Sequence, residues 1–147
     1  MTAQEAQPDR RQVPLREGIF RLPSGPNEEP ALIGSRCQNC GEHFFPKRHI
    51  CLNCGQEEIE ETTLGRRGKI WTYTVARQTP PASLMQAPYV IVVVQLAERA
   101  MVEAVLTDWD PQAVQVGMEV EMVLEKMGTS AEGNDLMAFK FKPVQAG

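Results

Sequence analysis

Two Cys-x-x-Cys pairs constrain this chain more than anything else in it. Cys37 and Cys40 are separated by two residues in CQNCG, Cys51 and Cys54 likewise in CLNCG, and ten residues lie between the pairs. Each such turn presents two sulfurs from one tight knuckle. A β-hairpin between the knuckles brings the pairs face to face, so that four thiolates surround one metal ion tetrahedrally, which is the arrangement of a zinc ribbon. Gly41 and Gly55 follow the second cysteine of each pair. A positive φ there turns backbone N–H groups toward the sulfurs, and glycine adopts it without steric cost.

Other uses of four cysteines fit less well. The opening MTAQEAQPDRRQ lacks the apolar run of a secretory signal, and the longest apolar run, YVIVVVQL, is too short to cross a bilayer. The reading is a cytoplasmic protein with no membrane partner. Thiols stay reduced in that compartment, which disfavours two disulfides. A redox Cys-x-x-Cys occurs once, at the start of a helix that follows a strand, whereas two pairs here face one another across GEHFFPKRHI. Tetrahedral sulfur suits iron as well as zinc, and zinc is the expectation. His43 and His49 are then hairpin surface residues, because four thiolates already fill the shell. A closed shell leaves no position for water or substrate. The zinc, one per chain, is therefore expected to be structural, its binding energy of order 10 kcal/mol serving as folding energy.

On the N-terminal side, residues 1–12 are polar and read as disordered, and VPLREGIFRLPSGPNEEPALIG follows with four prolines and three glycines that forbid a long helix. An extended arm is expected over residues 1–35, with Val13, Leu15, Ile19, Phe20, Leu22, Leu32 and Ile33 as apolar anchors. These either cover a sheet edge of their own domain or dock on another subunit. Net charge is −1 over residues 1–35, +1 over 36–69 and −4 over 70–147. No segment approaches the basic face that a phosphate backbone requires, so a nucleic-acid partner is not expected.

From residue 69 onward the pattern is β. KIWTYTVAR is rich in β-branched and aromatic residues, PYVIVVVQLA is a continuous apolar run, and AMVEAVLT follows a short turn. GMEVEMVLEKM alternates, with Met118, Val120, Met122 and Leu124 on one face and Glu119, Glu121 and Glu125 on the other. DLMAFKFKPV sets Met137, Phe139 and Phe141 inward and Lys140 and Lys142 outward. Between the third and fourth strands Asp110 caps one short helical turn begun by Pro111. The fold class is mostly β: an arm over 1–35, a rubredoxin-like zinc ribbon over 36–64 and a five-stranded OB-fold barrel over 65–147.

Several side chains have competing uses. Met118, Met122 and Met137 read as core filler. Trp71 and Tyr73 share a strand face that suits stacking a flat ligand, but with Val75 they are placed in the barrel core. Phe44 and Phe45 cannot both be buried in so small a hairpin, so at least one packs on the barrel, the arm or a partner. Arg66, Arg67 and Lys69 flank Gly68 where a turn enters a strand. They form either a solvated face or a phosphate cradle.

The segments LIGSRCQNCGEHFFPKRHICLNCG, GRRGKIWTYTV, PYVIVVVQL, VGMEVEMVLEKM and FKFKPV, in that order, resemble the acyl-CoA-associated OB-fold proteins that carry a rubredoxin-like zinc ribbon. The resemblance runs from about residue 13 to the end. It implies a non-catalytic accessory subunit in a hetero-oligomer with a thiolase-fold or hydratase-fold enzyme of acyl-CoA metabolism. The arm, the FFPKR hairpin and the length are similar to the small subunits of benzoylsuccinyl-CoA thiolases of anaerobic toluene breakdown. It further implies a coenzyme A thioester as shared ligand, its phosphates met by Lys47, Arg48, Arg66, Arg67 and Lys69. Phe44 and Phe45 would then meet a partner. No catalytic residue is assigned to this chain: all four cysteines are committed to metal, and the nucleophilic cysteine belongs to the partner. Two other classes predict different behaviour. A nucleic-acid-binding ribbon and OB protein would bind single strands in a salt-dependent way, and a free-standing thiol oxidoreductase would be metal-free.

Overall fold

The computed structural model describes residues 11–23, 28–83 and 85–144. Strands β1 (Gln12–Pro14), β2 (Phe20–Arg21), β3 (Ala31–Cys37), β4 (His43–Phe44) and β5 (Ile59–Leu64) are followed by five longer ones. These are β6 (Arg67–Ala76), β7 (Tyr89–Leu96), β8 (Met101–Leu106), β9 (Glu119–Thr129) and β10 (Asp135–Pro143). The described residues include no helix. Residues 1–10, expected to be disordered, lie outside the described set, and Gln12 already belongs to β1.

Strands β6 to β10 close into the expected five-stranded barrel, with neighbours β6, β7, β8, β10 and β9, and β9 pairing back onto β6. Burial follows the period of two that a pleated strand imposes. In β7, Val90, Val92, Val94 and Leu96 are buried while Tyr89, Ile91, Val93 and Gln95 are half-buried. Val102 and Leu106 from β8, Val120 and Met122 from β9 and Phe141 from β10 complete the interior, each fully buried large side chain contributing roughly 1.5–3 kcal/mol. Asp110 caps a single turn: its Oδ1 accepts from Gln112 N–H at 3.0 Å and its carbonyl from Ala113 N–H at 2.9 Å.

Two expectations about the barrel are corrected. Trp71 is not core but 59% exposed, and Tyr73 is 38% exposed. Ile70 opposes Val94 and Thr72 opposes Val93, so Trp71 is an extra residue that breaks the alternation. Tyr73 and Val75 instead line a small cavity together with Trp109, Pro111 and Val114. Lys140, expected outward, is buried, and its ammonium pairs with the Glu125 carboxylate, which also accepts from Thr107 Oγ1 at 3.1 Å.

The ribbon is organised around β3, which pairs β2 and β4 on one edge and β5 on the other. The strand runs through residue 35, so the tail of the arm belongs to the ribbon sheet. Gly34 permits this crowding: a Cβ there would lie 2.4 Å from the Phe44 carbonyl oxygen. Ribbon and barrel share one core, because Phe20, Leu32 and Leu64 join the cluster that holds Ile70, Val94 and Phe141. The arm closes the assembly from outside, β1 running parallel to the start of β10 with Val13 opposite Leu136. Of the expected arm anchors, Phe20 and Leu32 are buried in that core, whereas Leu15 stays 41% exposed.

Candidate functional site

The two knuckles fold alike. Gly41 N–H donates to the Cys37 carbonyl and Gly55 N–H to the Cys51 carbonyl, both at 2.9 Å, and the glycines take φ of 84° and 78° as their positions require. Cys37 N–H reaches the Glu42 carbonyl and Cys51 N–H the Gln56 carbonyl, again both at 2.9 Å. The four sulfurs lie within 4.8 Å of one another, with Cys37 to Cys54 at 3.7 Å and Cys40 to Cys51 at 3.5 Å. Tetrahedral Zn–S bonds of about 2.3 Å place sulfurs roughly 3.8 Å apart, close to the spacing of both these pairs, so the donor set suits that ion. His43 and His49 are not part of the cluster.

Around the sulfurs stand donors that sequence reasoning missed. Asn39 of the first knuckle donates its side-chain N–H to Cys54 of the second at 3.4 Å, and Asn53 of the second donates to Cys40 of the first at 3.6 Å. Backbone N–H groups of Cys40, Asn53 and Cys54 add bonds of 3.5, 3.3 and 3.4 Å to Cys37 and Cys51. The amides hold charge on sulfur. The Asn53 amide is the first cause lowering the Cys40 thiol to about 6, and Asn39 is the first cause lowering Cys54. Burial instead pushes Cys51 up to about 11, a preference that a bound divalent cation overrides by its own charge. The repeated Asn before the second cysteine in CQNC and CLNC was the available signal.

The hairpin residues go separate ways. Phe45 packs edge-on against Phe139 of the barrel, while Phe44, in β4, is half-buried with its backbone paired to Ser35. Lys47 forms an ion pair with Glu61 at 2.9 Å. Arg48 donates its backbone N–H to Ser35 Oγ at 3.2 Å, and its side chain has no ion-pair partner among the described residues. Arg66 pairs with Glu29, and Arg67 approaches Glu121 at 3.7 Å. Lys69 opposes Glu119 across the β6–β9 ladder. Thus the structure does not gather the five cations into one patch. Arg67 and Lys69 share a concavity of about 330 Å³ with Arg99, a cation sequence reasoning overlooked, and neither Lys47 nor Arg48 lines it.

Comparison with known proteins agrees with this architecture. Residues 28–60 match the family described as ChsH2, rubredoxin-like zinc ribbon domain, and residues 61–125 the family described as ChsH2, C-terminal OB-fold domain. A DUF35 domain-containing scaffold protein of Methanocaldococcus jannaschii is 39% identical over 122 residues, covering 80% of this chain and 85% of the relative. The chain belongs to the DUF35 family. Another relative is the benzoylsuccinyl-CoA thiolase subunit BbsA of Thauera aromatica, 31% identical over 78% of both chains. Among solved structures, this DUF35 chain is similar to the one described as Ltp2-ChsH2(DUF35) aldolase, with a TM-score of 0.61 and 26% identity over 77% of this chain and 84% of that one. Among the described residues no helix is long and apolar enough to cross a membrane.

Proposed function

We propose that this DUF35 protein is a non-catalytic accessory subunit of a cytoplasmic, thiolase-type acyl-CoA enzyme complex. The ribbon's metal is zinc and structural: four cysteine sulfurs complete its shell and leave no site for substrate. The observation that carries the reading is the 31% identity to a thiolase subunit along 78% of both chains. Its complement is chemical. Thiolysis needs a nucleophilic cysteine, and all four cysteines of this chain sit in the metal cluster. The nucleophile therefore comes from a thiolase-fold partner. Within that complex Phe44, Lys47 and Arg48 face the partner or its coenzyme A ligand, Phe45 orients the hairpin that presents them, and Arg66, Arg67 and Lys69 meet phosphate. The ion pairs of Arg66 with Glu29 and of Arg67 with Glu121 are exposed and weak enough to be exchanged for it. The acyl group proposed for the complex is benzoylsuccinyl, with a place in anaerobic toluene degradation.

Reconstitution tests this directly. A thiolase-fold chain co-expressed with this protein should co-purify with it and cleave benzoylsuccinyl-CoA, and should lose that activity when this chain is left out. A stable monomer that no thiolase-fold chain binds or needs would overturn the reading. Cleavage of aliphatic acyl-CoA alone would keep the accessory role and replace the acyl group.

One observation favours a second reading. Trp71 stands 59% exposed on an OB barrel, where nucleic-acid binders stack bases. The net charge of −4 over residues 70–147 opposes it. Anisotropy of a labelled single-stranded oligonucleotide at low salt separates the two, and no salt-dependent binding is expected.

A further inference from the structure

We propose that the open edge of β6 pairs with the same edge of a second copy of this chain, joining two barrels about a two-fold axis. Strand β9 covers β6 only as far as Lys69. The last bonds on that side tie Ile70 to Met118 and Gly117, at 2.9 and 2.8 Å. Beyond them, Thr72 to Ala76 pair with β7 alone among the described residues. The ladder fixes where each backbone group points. Leu96 N–H donates to the Ala100 carbonyl on the β8 side, so by alternation Val92 and Val90 also face β8. Their opposite numbers on β6, Tyr73 and Val75, form non-bonded pairs with them and turn both N–H and C=O to the open edge. Past the bulge at Trp71 this edge has no guard. Residues 70–76 carry no charge and no proline, all but Ala76 are β-branched or aromatic, and Trp71 to Thr74 are exposed.

The strand's own sequence fits a copy of itself. With Thr74 on the two-fold axis, Tyr73 of each copy exchanges two hydrogen bonds with Val75 of the other, which satisfies every edge group of these residues. Cross-strand neighbours are then Tyr73 with Val75, Thr74 with Thr74 and Thr72 with Ala76. Aromatic with β-branched and Thr with Thr are pairings that stabilise sheets. Charge selects this register. Setting Tyr73 opposite Tyr73 would bring Lys69 opposite Arg77, two cations, whereas with Thr74 central Arg77 lies level with the uncharged Trp71. A cavity of about 220 Å³, lined by Tyr73 and Val75 with Trp109, Pro111 and Val114, borders the junction, so pairing takes its apolar lining out of water. So short a junction makes a weak, reversible dimer. The inference does not depend on the accessory-subunit reading, because it concerns this chain alone.

Sedimentation velocity on the full-length, zinc-loaded protein tests this. A reversible monomer–dimer equilibrium is expected with Kd of about 0.1 mM or below, so that most chains are paired at about 0.5 mM. Thr74→Lys sets two ammonium groups face to face on the axis and should weaken the dimer about tenfold, with Tm unchanged because the side chain is exposed. Thr74→Cys tests the register, since residues in a non-bonded pair lie about 4.5 Å apart at Cα, within disulfide reach. Oxidised glutathione, itself reduced to two thiols, should link Thr74→Cys chains into a covalent dimer, while Thr72→Cys and the wild type stay unlinked. A protein that remains monomeric at about 0.5 mM overturns the proposal. So does a dimer that Thr74→Lys leaves intact, or one that Thr72→Cys links as readily as Thr74→Cys, because the contact then lies elsewhere or in another register. Loss of binding to a thiolase-fold chain in Thr74→Lys, without self-association of the wild type, overturns it too: the edge then takes a strand of a different protein.

Discussion

The ring of Phe45, beside the metal knuckles, meets the ring of Phe139, on the last barrel strand, edge to face with centroids 5.6 Å apart. Because Phe139 also contacts Phe20 and Phe141, one side chain joins arm, ribbon and barrel. Phe139→Ala should lower unfolding free energy by about 3 kcal/mol, as large-to-small core changes do. In a double-mutant cycle Phe45→Ala and Phe139→Ala should be non-additive by about 1 kcal/mol, the scale of an aromatic pair. Urea denaturation of the four proteins checks this, and strict additivity would mean that the hairpin does not lean on the barrel.

The reciprocal amides make a second prediction. Asn39→Ala and Asn53→Ala each remove one N–H from a sulfur of the opposite knuckle. Loss of such an outer contact costs roughly 10–100-fold in metal affinity. Competition for zinc against a chromophoric chelator should show both variants weakened to a similar degree, as the near-symmetry of the knuckles implies. Unchanged zinc affinity in both would show that the amides are incidental.

Metal removal should reach beyond the ribbon. Leu32 and Leu64 pair at one end of the β3–β5 ladder whose other end carries Cys37, and they belong to the same core cluster as barrel residues such as Val94. Chelation of zinc should therefore lower Tm for the whole chain in a single transition and expose thiols to titration, with recovery on adding zinc but not magnesium, whose hard character disfavours sulfur. Two separate transitions, with the barrel unaffected, would contradict a shared core.

What the sequence made legible divides along physical lines. The cysteine spacing and the alternation of β9 and β10 are local signals, and metal cluster and strands follow from them directly. Trp71 was misplaced because one extra residue in β6 shifts the pairing with β7 between Ile70 and Thr72, a bulge that alternation alone does not reveal. Lys140 was read as solvated because its partner Glu125 lies on another strand, fifteen residues away. The continuous apolar run of β7 hides a difference between its faces: Val90, Val92 and Val94 are buried, whereas Val93 is half-buried and lines a cleft with Leu15 of the arm, Phe45 of the hairpin and Phe139 of β10. The cleft itself has no sequence signature, since its walls come from three separated segments.

Glycines offer a contrast. Gly34→Ala would bring a Cβ to 2.4 Å from the Phe44 carbonyl oxygen and 2.8 Å from Leu64 Cδ1, so β3 and β4 must part. Gly18→Ala meets nothing within 4 Å and suffers only from its φ of +83°. The second should cost about 1 kcal/mol and the first at least 2 kcal/mol, in the range of core overpacking. Thermal unfolding ranks them, and equal losses would place the strain at Gly34 elsewhere than in strand crowding.

The Glu125–Lys140 pair sets a pH dependence. A hydrogen bond from Lys140 is the first cause holding the Glu125 carboxyl below its ordinary value, despite partial burial that acts the other way. A folded-state pKa below the unfolded one means that the contribution is fully present above the unfolded carboxylate value of about 4.3 and is lost as pH falls through the folded value. Glu125→Gln should flatten the loss of stability as pH falls below the unfolded carboxylate value. At pH 7 it should cost about 2 kcal/mol, because it leaves the buried Lys140 ammonium facing a neutral group. Lys140→Met should flatten the same window at far smaller cost, since an apolar chain of similar length replaces a charge that must be kept out of water. Denaturant unfolding across this pH range distinguishes the cases. An acid slope that both substitutions leave unchanged would show that other carboxylates govern it.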